Sequence, residues 1–177
     1  MAKLSSVKVS LKIPYIGGVE GTWEPDERER DAAWEMYVEL VTRISIVELK
    51  PDEGLLREAL NSLYTLFNTT REILRKYGPS TAQAKGKGDL SFGYLAVAIL
   101  NGELRPVLAK WHPLLLDYEN TKGSSVLPLE HERKWDKSKE LRQVLNEVRS
   151  VLIQYANVLA KVAGVTSLVG EETDEPL

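Results

Sequence analysis

The 177-residue chain contains no cysteine and only two histidines, His112 and His131. The first absence excludes a disulfide framework, thiolate zinc sites and a cysteine nucleophile, and it suits an intracellular protein. The second leaves little for a metal centre. A di-iron site in a helical bundle needs a Glu-x-x-His pair on each of two helices, and here positions 109 and 128 are Ala and Pro. Gly-x-Ser-x-Gly and the Walker A pattern are also missing. No apolar run approaches the roughly 20 residues that span a bilayer; the longest candidate is Leu95 to Leu100. Met1 to Ser10 has no apolar stretch of the signal-peptide kind. A cytoplasmic protein with no membrane span, no metal and no cofactor is the expectation. Basic charge is not in excess either. Lys and Arg number 23 against 26 Asp and Glu, a net charge of -3, which argues against a chain built to neutralise phosphates. No nucleic-acid partner is expected, and Lys85, Lys87, Arg105 and Lys110 are the residues from which a local basic patch would have to come.

What is present is apolar periodicity. At 177 residues with 43% hydrophobic side chains, one domain can bury a core unaided. Residues 7 to 16 alternate, with Val7, Val9, Leu11 and Ile13 on one side, so an extended segment is predicted. It either straps its own helices or docks on another chain's sheet edge. Helix one opens at Pro25, with Asp26, Glu27 and Glu29 at its positive end and a stripe of Trp34, Tyr37, Val38, Val41, Ile44 and Val47. Helix two opens near Pro51 and runs through Leu56, Leu60, Leu63, Phe67, Ile73, Leu74 and Tyr77 to Gly78-Pro79. Residues 80 to 89 read as a flexible loop, with Asp89 as N-cap of helix three. Helix three covers about 90 to 119 and carries Asn101-Gly102, Pro106 and Pro113. Asn-Gly between apolar runs is also a hairpin signal, but Pro106 would remove a ladder donor. A helix interrupted near 101 to 106 is therefore preferred. The last helix, about 136 to 163, buries Leu141, Val144, Leu145, Val148, Val151, Leu152, Tyr155, Leu159 and Val162. The expected fold is all-α: an antiparallel four-helix bundle over residues 21–166, preceded by an extended arm over 1–20 and followed by an acidic tail over 167–177.

Chemistry-bearing residues concentrate in 101–113. A proline inside a helix frees backbone groups that need partners, and Asn101 and Arg105 are placed to supply them. The same broken turn suits an anion, with Arg105 forking onto a carboxylate or phosphate and Lys110 beside it. His112, next to Trp111, is the candidate for proton transfer. His131 lies in Glu130-His131-Glu132. The loop Lys85-Gly-Lys-Gly-Asp89 precedes a helix and so offers amides to a phosphate. Glu24 and Glu27 have the Glu-x-x-Glu spacing of magnesium-holding helical nucleotide pyrophosphatases, but helix two has no matching Glu-x-x-Asp. Candidate ligand-binding residues are therefore Asn101, Arg105, Lys110, Trp111, His112 and His131.

The run Leu104-Arg-Pro-x-Leu-x-x-Trp-His-Pro113, followed by Glu130-His-Glu-Arg133 and Trp135, resembles a pattern in uncharacterised bacterial helical-bundle proteins of defence or signalling neighbourhoods. The absence of cysteine and of any catalytic motif, with a rigid helical scaffold and an extended arm, favours a non-enzymatic binding or regulatory module with a protein partner, such as an effector in that setting, or a homo-oligomer. The alternative is a small-ligand or nucleotide-binding enzyme with an anion site at Arg105, Lys110 and His112. A membrane-disrupting helical toxin is a third reading, disfavoured because the amphipathic faces already have one another to bury.

Overall fold

The computed structural model describes residues 5–43 and 46–169. Ile44 of the expected first stripe and the acidic run 170–177 lie outside the described residues. Two strands, β1 (Val7–Leu11) and β2 (Val19–Trp23), precede six α-helices: α1 (Glu27–Val41), α2 (Leu56–Tyr77), α3 (Phe92–Ile99), α4 (Arg105–Glu119), α5 (Pro128–Arg133) and α6 (Ser138–Ala163).

The expected four-helix bundle is corrected here. The molecule is mostly helical, but an antiparallel two-stranded sheet belongs to its core. β1 pairs with β2 from Val7 opposite Trp23 to Leu11 opposite Val19. Val7, Val9, Leu11, Val19 and Trp23 are all buried in the same cluster as Tyr37, Phe92, Trp111 and Leu152. Burying five such side chains contributes roughly 10 kcal/mol before the entropy of ordering them, so the hairpin is structural and β2 runs across the expected boundary at residue 20. β2 was hidden by Gly21, which interrupts its alternation. The glycine is needed because a Cβ there would come 2.5 Å from Asp89 Oδ1. Asp89 is accordingly no N-cap: its Oδ1 accepts from Thr22 N at 2.7 Å, while Ser91 caps α3 through Tyr94 N.

Helix α1 is rotated from its expected stripe. Asp26 and Glu29 form a reciprocal capping box, and Glu29, Ala33, Met36, Tyr37 and Leu40 face inward. Trp34 and Val38 are exposed. Helix α2 begins at Leu56, five residues later than Pro51 suggested, with no side chain of its own capping it. Glu132 supplies the cap from far along the chain, accepting from Leu56 N at 2.8 Å while Arg142 pairs with its other oxygen at 2.9 Å.

Residues 94–109 are helical, which excludes the hairpin alternative. The expected interruption is a single wide turn over Leu100–Leu104, in which Arg105 N–H donates to Leu100 C=O five residues back. An ordinary α-turn would drive the Pro106 ring against the carbonyl of residue 102; the π-turn relieves that clash without ending the helix. Among the described residues no helix is long and apolar enough to cross a membrane.

Candidate functional site

Side chains three and four apart on a helix share a face. On α2 that spacing aligns Tyr64, Phe67 and Arg71; on α4 it aligns Arg105, Leu108, Ala109, His112 and Pro113. These two faces bound an open cleft of about 370 Å³, within the size range of small-molecule sites. Its floor is apolar. Phe67 is buried, and the Arg71 and Arg105 guanidinium groups lie 5.7 and 5.5 Å from its ring centroid, at cation–π range.

The polar side chains of the cleft are chiefly donors. Asn101, on the π-turn, accepts from Arg105 Nε at 3.0 Å and Nη2 at 2.9 Å. Asn68 accepts from Arg71 Nη1 at 3.2 Å. Each guanidinium is thus oriented by a neutral amide oxygen, and among the described residues no carboxylate lines the cleft. His112 stacks on the exposed Tyr64 ring, with centroids 6.2 Å apart. Behind it, Arg57 Nη1 lies 2.8 Å from His112 Nδ1. Arg57 is itself gripped by Glu119, through Nε at 3.1 Å and Nη2 at 2.8 Å.

The six sequence candidates do not converge. Arg105 and His112 line the cleft and Asn101 orients Arg105. Lys110 turns to Glu140, 3.2 Å away, with its ammonium over the Trp111 ring. Trp111 is core, edge-on to Trp135. His131 stacks on Tyr118 with centroids 4.2 Å apart and its Nε2 is 3.0 Å from the Tyr118 carbonyl. It belongs to a separate 200 Å³ hollow that Arg57, Tyr118, Glu119 and Glu132 share. Among the described residues no three potential metal ligands cluster. Tyr64, Phe67, Arg71 and Arg57 were missed. Phe67 was read as core, and the others became relevant only through contacts with α4, 55 residues away in the case of Arg57 and His112.

Two other predicted features found internal roles. In the glycine loop, Lys87 N donates to Glu24 Oε1 at 3.1 Å, and a Cβ on Gly86 would collide with the same carboxylate. The loop does bind an anion, and that anion is Glu24. Lys85 turns instead to Asp26 at 2.7 Å and Glu29 at 3.1 Å. Burial works against it, but the Lys85 ammonium and the Glu29 N–H hold the Asp26 carboxyl below its ordinary value.

A groove on α1, lined by Asp31, Trp34, Glu35, Val38, Glu39 and Tyr77, measures 330 Å³. Glu35 is engaged by Lys76 and Tyr77, and Glu39 by Arg43, so most of its charge is already answered from within. Glu103 stands apart. It is buried on the π-turn, and its Oε2 has no hydrogen-bond partner among the described residues. Burial, helped by the charge of Glu147, pushes its carboxyl up to about 7.

Comparison with protein-family models, curated proteins and solved structures finds no match to this chain.

Proposed function

We propose that the protein is a non-enzymatic binding module whose recognition element is the α2–α4 cleft, and that its ligand is a small molecule with an oxyanion head and an apolar body. The carrying observation is the pair Arg71 and Arg105. Both flank Phe67, both are oriented by asparagine carbonyl oxygens, and neither has a carboxylate partner among the described residues. A guanidinium fork matches carboxylate or phosphate geometry, and Phe67, Leu108 and Pro113 suit the rest of such a ligand. Binding rather than chemistry is favoured because Arg57 engages the lone pair of His112 Nδ1, which places the ring proton on Nε2 and leaves the imidazole no free lone pair to act as a general base. In the setting that the bacterial resemblance implies, the module would be the regulatory half of a partnership, with the ligand as its signal.

Titration with phenyl phosphate, followed by calorimetry and amide chemical shifts, tests this. Shifts should map to Tyr64, Arg71, Arg105 and His112. Arg105→Ala and Arg71→Ala should each weaken binding by roughly tenfold or more, as expected for a lost bond to a charged group. Benzylamine, of the same size and opposite charge, should not bind. Equal affinity in wild type and both arginine variants would sink the proposal.

A further inference from the structure

We infer that Arg57 is a positioning residue for this cleft: held by Glu119, its guanidinium locks His112 in the tautomer that offers the ligand an N–H instead of a lone pair. The inference rests on the reading of the cleft as a ligand site for its consequence, but not for its geometry. Arginine has donors only. At 2.8 Å from Arg57 Nη1, His112 Nδ1 must therefore be the acceptor, and the ring proton belongs on Nε2. Nε2 has no protein partner among the described residues and His112 lines the cleft, whereas Nδ1 is taken by Arg57, which lines the neighbouring hollow with Glu119 and not the cleft.

Arg57 cannot easily let go. Glu119 holds two of its nitrogens and the His112 carbonyl lies 3.5 Å from Nη2, so the fork is fixed on both sides of the imidazole. The cleft thereby gains a third nitrogen donor beside Arg71 and Arg105. Three side-chain donors on an apolar floor select a group with several acceptor oxygens, a phosphate ester or a carboxylate, and disfavour amines and amides that bring donors of their own. Removing a donor matched to a charged acceptor is costly, because the acceptor is then left desolvated and unpaired. The selectivity of the site would thus be set partly by a side chain that does not line it.

Long-range proton–nitrogen correlation spectra of the two imidazoles test this in the full chain, with His131→Gln assigning the signals. Wild type should show His112 protonated at Nε2 and bare at Nδ1. Arg57→Met should mix the tautomers and weaken phenyl phosphate binding about tenfold. Arg57→Lys, which keeps a donor but cannot fork onto Glu119, should restore part of both. If Arg57→Met fails to fold, Glu119→Gln, which loosens the fork and keeps its volume, should give a smaller shift in the same direction. A proton on Nδ1 in wild type, or an unchanged tautomer in Arg57→Met, would overturn the inference whether or not the probe binds. Nε2–H in wild type with no phenyl phosphate bound would instead sink the ligand reading and leave the tautomer lock standing.

Discussion

The corner where the hairpin meets α1 and the cleft between α2 and α4 both gather charge, and they resolve it in opposite ways. At the corner a carboxylate collects the donors. Glu29, fully buried, accepts from Trp23 Nε1 at 3.1 Å, Asp26 N at 3.2 Å, Lys85 Nζ at 3.1 Å and Phe92 N at 3.0 Å. One side chain thus ties β2, α1, the glycine loop and the start of α3 together. In the cleft, cations gather without an acid among the described residues, and the side chains that accept from them there are amides. A buried charge with all its partners inside the chain is architecture; cations oriented at a surface by neutral amides alone have capacity left for something else. Glu29→Ala should break the corner, since it strands four donors. A loss of about 3–5 kcal/mol is expected, read by urea unfolding. A loss below about 1 kcal/mol would mean that water replaces the carboxylate and that the corner is no more committed than the cleft.

Glu103 sharpens the contrast because it is buried like Glu29 yet has an oxygen with no donor. Its carboxyl is raised from 4.5 to about 7. Between those values the folded chain keeps a proton that the unfolded chain has released. Stability is therefore fully present below 4.5 and is lost as pH rises toward about 7, after which the cost is constant. Glu103→Gln removes that cost. It should stabilise the protein by about 3 kcal/mol at pH 8 and by much less at pH 4.5, with the difference measured between variant and wild type in urea at both pH values. A pH-independent difference would show that the carboxylate has found solvent. Glu132, equally buried, illustrates the other resolution: burial pushes its carboxyl up, while Leu56 N–H and the Arg142 guanidinium pull against that rise.

These three carboxylates also show what could be read from the sequence. Long periodic helices were legible because a 3.6-residue stripe is a local property, and α6 carries its stripe with little deviation. The irregularity at Pro106 was legible for the same reason, though its resolution as a π-turn depends on how the neighbouring helices hold it. β2 was not legible, because Gly21 exists to admit Asp89 from 68 residues away and so erases the alternation that would announce the strand. The α2 start was misplaced because its cap, Glu132, lies 76 residues downstream. The candidate site was half legible. Asn101 and Arg105 are one turn apart, so their pairing follows from helix geometry. His112's partners, Arg57 and Tyr64, come from another helix, and no spacing within 101–113 encodes them.

The smallest expected effect tests how the corner set the register of α1. Trp34, Val38 and Val41 have helical spacing and looked like the buried stripe, yet Trp34 is 47% exposed and Met36 is 1% exposed. Steps of four, three and four from Glu29 reach Ala33, Met36 and Leu40, all buried. Once the capping box and its four donors draw Glu29 inside, the helix has no rotational freedom left, and the tryptophan is turned outward although it is the more hydrophobic choice. Trp34→Ser should therefore change stability by no more than about 0.5 kcal/mol, like other exposed substitutions, whereas Met36→Ala on the true stripe should cost about 2–5 kcal/mol. The reverse order of costs would mean that apolar periodicity, rather than the buried carboxylate, decides which face of α1 is inside.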